Sequence, residues 1–417
     1  MKKLITSLAA LTLPCAAFAG AYSKMFADGH LRFDYTPQEI AALESSARQE
    51  LDANLGALTQ VAAAERTFQN TVLALETAYT NYWFVPKNLS LLAYFHKDSA
   101  VREAAARLET VGSQTKAAVF ARRDVYRALK EYADQKQPLA HEEARLLEKW
   151  LQKYERAGMS LPDSKLKKYL RLNDARLEKI TRYNVNLNNY KDELPLTKAQ
   201  LKGMSETFIN RLEKTADGKY IVTLKYPDYN PFMANAQDEE ARRRLQYKFA
   251  RRGGKENVKL LEDTLVLRRK QAALLGYAEY PDFVLPVRMA KTQARLRAFL
   301  KDLQTQITPL AQAETAQYLQ LKNDTLGTRS TVLNAWELGY WANQYKKAHF
   351  QVDDEKIKEY FPTDTVINGM FATFGHLFGL TFEKAALPAW HPDVQTWLIK
   401  DSKSGEVISH FYMDLFP

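Results

Sequence analysis

Residues 36–61 read TPQEIAALESSARQELDANLGALTQV. Thr36 followed three residues later by Glu39 has the form of a capping box. Pro37 occupies the first helical position, where its missing N–H leaves no extra bond unmade. Ile40, Leu43, Leu51, Leu55, Leu58 and Val61 then recur near a helical period, so the stretch predicts an amphipathic helix with one buried face. The pattern extends downstream. A second helix is expected after Thr67-Phe-Gln-Asn-Thr71, with Val72, Leu75 and Tyr79 on one face, and further helical segments over 90–95, 100–136 and 138–156. Punctuation by Pro86, Pro138 and Gly158 fits a stack of α-hairpins rather than a βαβ alternation.

Upstream lies a different kind of segment. Residues 1–19 combine a positive start (Lys2, Lys3), a short apolar run and a small-x-small site at Ala17-Phe-Ala19, the pattern of an export signal cleaved after Ala19. A membrane anchor is the poorer reading, because the run falls short of the roughly 20 apolar residues a spanning helix needs and contains Pro14. Cys15, the only cysteine, falls inside this leader and lacks the small residue before it that a lipid-anchored cysteine carries. Cleavage would leave a chain without disulfides or a thiol nucleophile. The formal charge is 59 − 49 = +10, or +8 without Lys2 and Lys3. Lys and Arg alternate with Asp and Glu at helical spacings, so a solvated mixed-charge surface is expected rather than a nucleic-acid partner.

At 417 residues with 46% hydrophobic content, the chain exceeds one ordinary domain. The expected division is 1–19 leader, 20–157 helical lobe and 158–417 second helical region. In that second region 163–189 is expected as a long helix with Leu166, Leu170, Leu177 and Ile180 inward. A strand is expected at 219–225, closed by a turn at Pro227-Asp-Tyr-Asn-Pro231. Helices are expected at 238–252 and 257–275, the latter capped by Gly276, and from 292 to about 323 through Pro309. The last stretch, WHPDVQTWLIKDSKSGEVISHFYMDLFP (390–417), holds two β-rich runs, 394–400 and 406–415, around a polar turn at Asp401-Ser-Lys-Ser-Gly405. The fold class is mainly α, a helical body of two lobes with small β elements at 219–225 and a C-terminal hairpin at 394–415.

Several segments, in order, carry a resemblance. They are Leu267-Arg-Arg-Lys-Gln-Ala-Ala-Leu-Leu-Gly-Tyr277, Met289-Ala-Lys-Thr292, the stripe Trp336-Glu-Leu-Gly-Tyr-Trp341 with Tyr345, Glu359-Tyr-Phe-Pro362, Gly369-Met-Phe371, Leu377-Phe-Gly379 and Tyr412-Met-Asp-Leu-Phe-Pro417. Read by themselves they are packing residues: Leu267, Leu274 and Leu275 face a core, and the aromatics form a core stripe. Together they resemble the thimet oligopeptidase, oligopeptidase A and dipeptidyl carboxypeptidase family of zinc metallopeptidases, from residue 67 onward. Glu337 stands where that family shows Asp. The resemblance implies a helical, channel-forming body acting on short peptides. In a complete member one zinc is held by the two His of His-Glu-x-x-His and a downstream Glu, with a Glu base activating water.

That motif is not among these residues. The seven His stand at 30, 96, 141, 349, 376, 391 and 410, and no two are four apart. The nearest mimic, His141-Glu-Glu-Ala-Arg145, ends on a guanidinium that cannot ligate a metal. No Gly-x-Ser-x-Gly or phosphate-cradling glycine loop occurs. No catalytic, cofactor-binding or metal residue is therefore assigned, and no zinc is expected on this chain as given. In the family the metal motif lies downstream of the residues matching 412–417, so the catalytic lobe is expected to be incomplete. The expected function is the N-terminal part of an exported, periplasmic zinc metallo-oligopeptidase. It is expected to be inactive alone, to hold short peptides, to be open to a complementary chain carrying the catalytic lobe and, after leader cleavage, to have no stable membrane insertion. The alternative is a non-catalytic peptide-binding scaffold or pseudo-enzyme; a third, weaker reading is a basic helical protein on anionic surfaces.

Overall fold

The computed structural model describes residues 20–21, 23–27, 30–352 and 357–415, so the expected leader, Phe416 and Pro417 lie outside the described residues. Helices dominate, as the periodicity predicts. By contacts the chain divides into two units. One takes the chain up to Leu161 together with Thr363–Pro417; the other is Pro162–Pro362. Sequence alone draws a single boundary after 157 and leaves the C-terminal hairpin with the second region.

The first unit begins with the short pair β1 (Phe26–Ala27) and β2 (His30–Leu31). Helix α1 (Pro37–Gln60) follows with the expected capping box: Thr36 Oγ1 accepts from the Glu39 amide at 3.2 Å and Glu39 accepts from the Thr36 amide at 2.8 Å. Ile40, Leu43, Leu51, Leu55 and Leu58 are buried. A π-helical turn, Phe68–Leu73, leads into α2 (Ala74–Leu89). The wider turn shifts the phase of the chain, so that Phe68, Thr71, Val72 and Leu75 all reach the interior.

After α3 (Leu92–Phe95), the helix predicted over 100–136 is two: α4 (Ser99–Phe120) and α5 (Arg123–Asp134). The break falls at Arg122, whose backbone is extended and whose guanidinium grips Asp124 in the first turn of α5 at 2.8 Å. A carboxylate there also suits the positive end of the helix. Periodicity does not register this break, because Ala117, Ala118 and Ala121 before it and Ala128 after it are good helix formers. In α6 (His141–Arg156), Trp150 is fully buried among Tyr79, Phe120 and Tyr154, and its indole N–H donates to Glu76 at 2.8 Å.

The second unit contains α7 (Asp163–Asn188), β3 (Glu193–Leu196), α8 (Glu206–Asn210), β4 (Tyr220–Thr223), α9 (Tyr226–Asn235) and α10 (Glu239–Ala250). It continues with α11 (Gly254–Leu274), α12 (Tyr280–Val284), α13 (Gln293–Leu326) and α14 (Ala335–Phe350). The strand expected at 219–225 is β4, paired antiparallel with β3, which sequence did not mark as a strand. Leu194, Leu196, Val222, Phe208, Phe232 and Leu245 close a core around the pair.

Two expectations are corrected here. The turn expected at Pro227–Pro231 is the start of α9. Pro227 sits in the first turn, where no amide partner is lost, and Asp228 accepts from the Thr223 amide at 3.1 Å while pairing with Arg211 at 2.7 Å. Leu177 is exposed rather than inward. The α7–α11 seam is polar: Asn186 donates to Asn257 at 2.9 Å, Asn257 to the Tyr183 carbonyl at 3.1 Å, and Lys179 pairs with Asp263 at 3.0 Å. Asn257, Thr264 and Gln271 share the buried face of α11 with Leu260 and Ala272, and Leu267, Leu274 and Leu275 are only half-buried. Gly276 caps α11 as expected, at φ +87°, with the Tyr277 amide reaching back to the Ala272 carbonyl at 3.0 Å.

The chain returns to the first unit with α15 (Thr363–Phe378) and β5 (Leu380–Ala385), β6 (Gln395–Asp401) and β7 (Val407–Met413), one antiparallel sheet in that order. The expected hairpin is present as β6–β7, with Asp401 accepting from the Lys403 and Ser404 amides at 2.9 and 2.8 Å. The third strand, β5, was not anticipated. Rings explain the grouping: Trp390 stacks on Phe95 at 4.2 Å, and Phe33 meets Trp390 at 5.1 Å and Tyr412 at 5.3 Å.

Candidate peptide-binding sheet edge

The C-terminal sheet is supported from both faces. On one, Phe371 of α15 stacks on Phe382 and meets Trp397, each at 4.6 Å, and Phe411 closes the group. On the other, Tyr412 joins Trp390 and Phe33. Thr396 bonds the Ala385 carbonyl and accepts from the Leu387 amide at 3.2 Å, holding the segment that follows β5 against β6. The Gly379 turn between α15 and β5 sits at φ +68°, and its carbonyl accepts from the Ser402 amide at 2.9 Å.

Both faces are covered by rings around Phe411 and Tyr412, and β7 is a terminal strand with no further strand beside it among the described residues. Val407 and Ile408 on it are more than half exposed. A strand in that position presents a row of backbone donors and acceptors, the arrangement that takes up an extended peptide by adding a strand. Burial raises the Tyr412 phenol above its ordinary pKa, so it stays neutral near pH 7, and its hydroxyl is buried with no hydrogen-bond partner among the described residues.

The motif residues are dispersed. Leu267–Tyr277 lies on α11 and its cap. Trp336, Glu337, Tyr340, Trp341 and Tyr345 lie on α14, where Glu337 is fully buried and ion-paired with Lys322 of α13. Burial alone would raise the Glu337 carboxyl. The bonds from Lys322 and from the Asn334 amide, the latter at 2.9 Å, outweigh it and hold the group below the ordinary glutamate range. Arg242 of α10 is buried beneath the same helix: it donates to the Trp336 carbonyl at 3.1 Å, and its guanidinium lies over the Tyr340 ring at 4.1 Å. Sequence reading missed Arg242 and Lys322, whose only signal is their place in strongly charged helices. Met289 and Tyr360, by contrast, are exposed.

The zinc that the resemblance implies can be tested against the donors present. His141 and Glu142 stand exposed in the first turn of α6, and Arg145 pairs with Glu148 at 2.7 Å. Among the described residues no three His, Cys, Asp or Glu side chains lie together as a metal site, so the described residues do not fit the ion. No helix among them is long and apolar enough to cross a membrane.

Comparison with known proteins accounts for the order of the motifs. Residues 232–417 match the model of peptidase family M3. The chain is 27% identical over 403 residues to a thimet-like oligopeptidase of Dictyostelium discoideum, covering 93% of this chain and 60% of that protein. It is 28% identical over 360 residues to saccharolysin of Saccharomyces cerevisiae, covering 79% and 49%. With oligopeptidase A of Escherichia coli it shares 28% over 285 residues, covering 64% and 41%. Over residues 232–417, a little under half of its length, the chain is similar to peptidase family M3. It spans from about two fifths to three fifths of the length of these relatives.

Proposed function

We propose that these residues form the peptide-holding body of an exported oligopeptidase, with β7 pairing an extended short peptide, and that the zinc-binding His-Glu-x-x-His helix belongs to polypeptide outside the 417 residues. The observation that carries this is the match of residues 232–417 to a peptidase family, ending on the sheet whose outer strand is open. Oligopeptidase relatives support short peptides as the ligand class. Because no zinc donors are grouped among the described residues, no hydrolytic step is assigned to them.

The test uses the chain purified from an exporting host, with its intact mass showing loss of residues 1–19. A fluorescent decapeptide is expected to bind, and a quenched-fluorescent analogue to remain uncut. Adding a segment that carries the metal motif is expected to give chelator-sensitive cleavage. Cleavage by the chain alone above controls would show a metal site within it. Binding that persists with no gain from any such segment would favour the non-catalytic scaffold, and no binding at all would remove the peptide reading.

A further inference from the structure

The basic run of α10 and the turn after it was not absorbed by the peptide reading. Arg244 and Lys248, four apart, share one face of α10, and Arg251 follows in the turn that ends the helix, with Arg243 and Tyr247 beside them. In the second unit these side chains line an open cleft of about 540 Å³ together with Tyr190, Asp192 and Gly254. The volume lies within the roughly 300–1,000 Å³ range of small-molecule sites.

The charges are unbalanced. Arg243 is held by Glu240 at 2.6 and 2.7 Å, and Lys248 by Asp192 at 2.6 Å. Arg244 and Arg251 have no carboxylate within ion-pairing distance among the described residues; the Arg251 guanidinium lies over the Tyr247 ring at 4.7 Å, which orients it without neutralising it. Four cations against two carboxylates leave two guanidiniums whose forked donors match phosphate oxygens. A solvated helix C-terminus also favours cations, yet that preference does not account for their convergence on a cleft with Asp192 as its only lining acid.

We propose that this cleft binds a small phosphate-bearing anion carrying at least two charges, with Arg244 and Arg251 as its two phosphate-gripping side chains. The probe is pyrophosphate, titrated calorimetrically into the full chain at low and matched ionic strength, alongside inorganic phosphate and glutarate. Pyrophosphate is expected to bind tightest. The Arg244→Ala/Arg251→Ala double variant is expected to weaken it by at least about tenfold, since each lost charge-assisted bond is worth that much. Arg297→Ala, an exposed arginine on α13, is expected to leave affinity unchanged. Thermal melting establishes that the variants fold; should the alanine pair fail, Arg244→Lys/Arg251→Lys keeps the charge but removes the fork and is expected to weaken binding severalfold. Equal binding of glutarate, unchanged affinity in the arginine variants, or loss of all binding once ionic strength is matched would each overturn the proposal.

Discussion

Replacing Glu337 by Gln is expected to destabilise the 162–362 unit by about 3–5 kcal/mol, the usual cost of removing one partner from a buried ion pair. Glu337 has no exposed surface, and Lys322 keeps less than a tenth of its side chain in contact with solvent, so the ammonium would be left charged and nearly dry. The carboxyl also accepts from the Asn334 amide and side chain at 2.9 and 2.8 Å, an N-terminal cap that glutamine retains only in part. Because the folded-state pKa of Glu337 is lowered, its stabilising contribution is present above the unfolded glutamate range, near 4.3, and is lost as pH falls through the folded value. The wild type is therefore expected to lose stability more steeply on acidification than Glu337→Gln. Urea titrations followed by tryptophan fluorescence at pH 7 and at pH 4 check both statements. The pair Glu337→Leu with Lys322→Met is expected to recover most of the loss, because no buried charge remains. A double variant as unstable as the single one would mean that the helix cap, not the ion pair, is what Glu337 supplies.

Much of the architecture was legible because it rests on short-range chemistry. The Thr36–Glu39 box and the Gly276 cap are written within four or five residues, and both stand in the structure as expected. What escaped depends on partners far along the chain. The break at Arg122 rests on an ion pair with Asp124 in a sequence otherwise rich in helix formers. The strands β3 and β5 are short, and neither shows its pairing until β4 and β6 are placed beside it. The α7–α11 seam defeats a hydrophobic count because asparagine, threonine and glutamine take buried positions of α11 beside Leu260 and Ala272. The motifs on α11 and α14 carried the resemblance through packing residues, so they said nothing about where a peptide would lie. The open edge of β7 emerges only once the sheet order is known.

That edge is useful to a peptide only if it is held still, and Trp390→Ala tests what holds it. The ring is half-buried, stacked on Phe95 at 4.2 Å and set against Phe33 and Tyr412 at 5.1 and 5.5 Å, and its N–H donates to Asp414 at 3.0 Å. A fully buried Trp→Ala change costs roughly 3–5 kcal/mol; allowing for the exposed part of this ring, about 2–4 kcal/mol is expected from the first unit. The loss should be local before it is global. Phe33 and Phe95 come from the N-terminal segment and Trp390 and Tyr412 from the C-terminal one, so removing the central ring loosens one face of the sheet while Phe371 still supports the other. Hydrogen exchange is expected to accelerate across β6 and β7 well before α1 or α6 responds. Peptide affinity should fall along with that protection, whereas Trp390→Phe, which keeps the stacking but not the bond to Asp414, should retain most of both. If Trp390→Ala left exchange in β7 unchanged, the aromatic cluster would not be what fixes the edge. If β7 loosened while peptide affinity stayed the same, the peptide would have to bind elsewhere on the molecule.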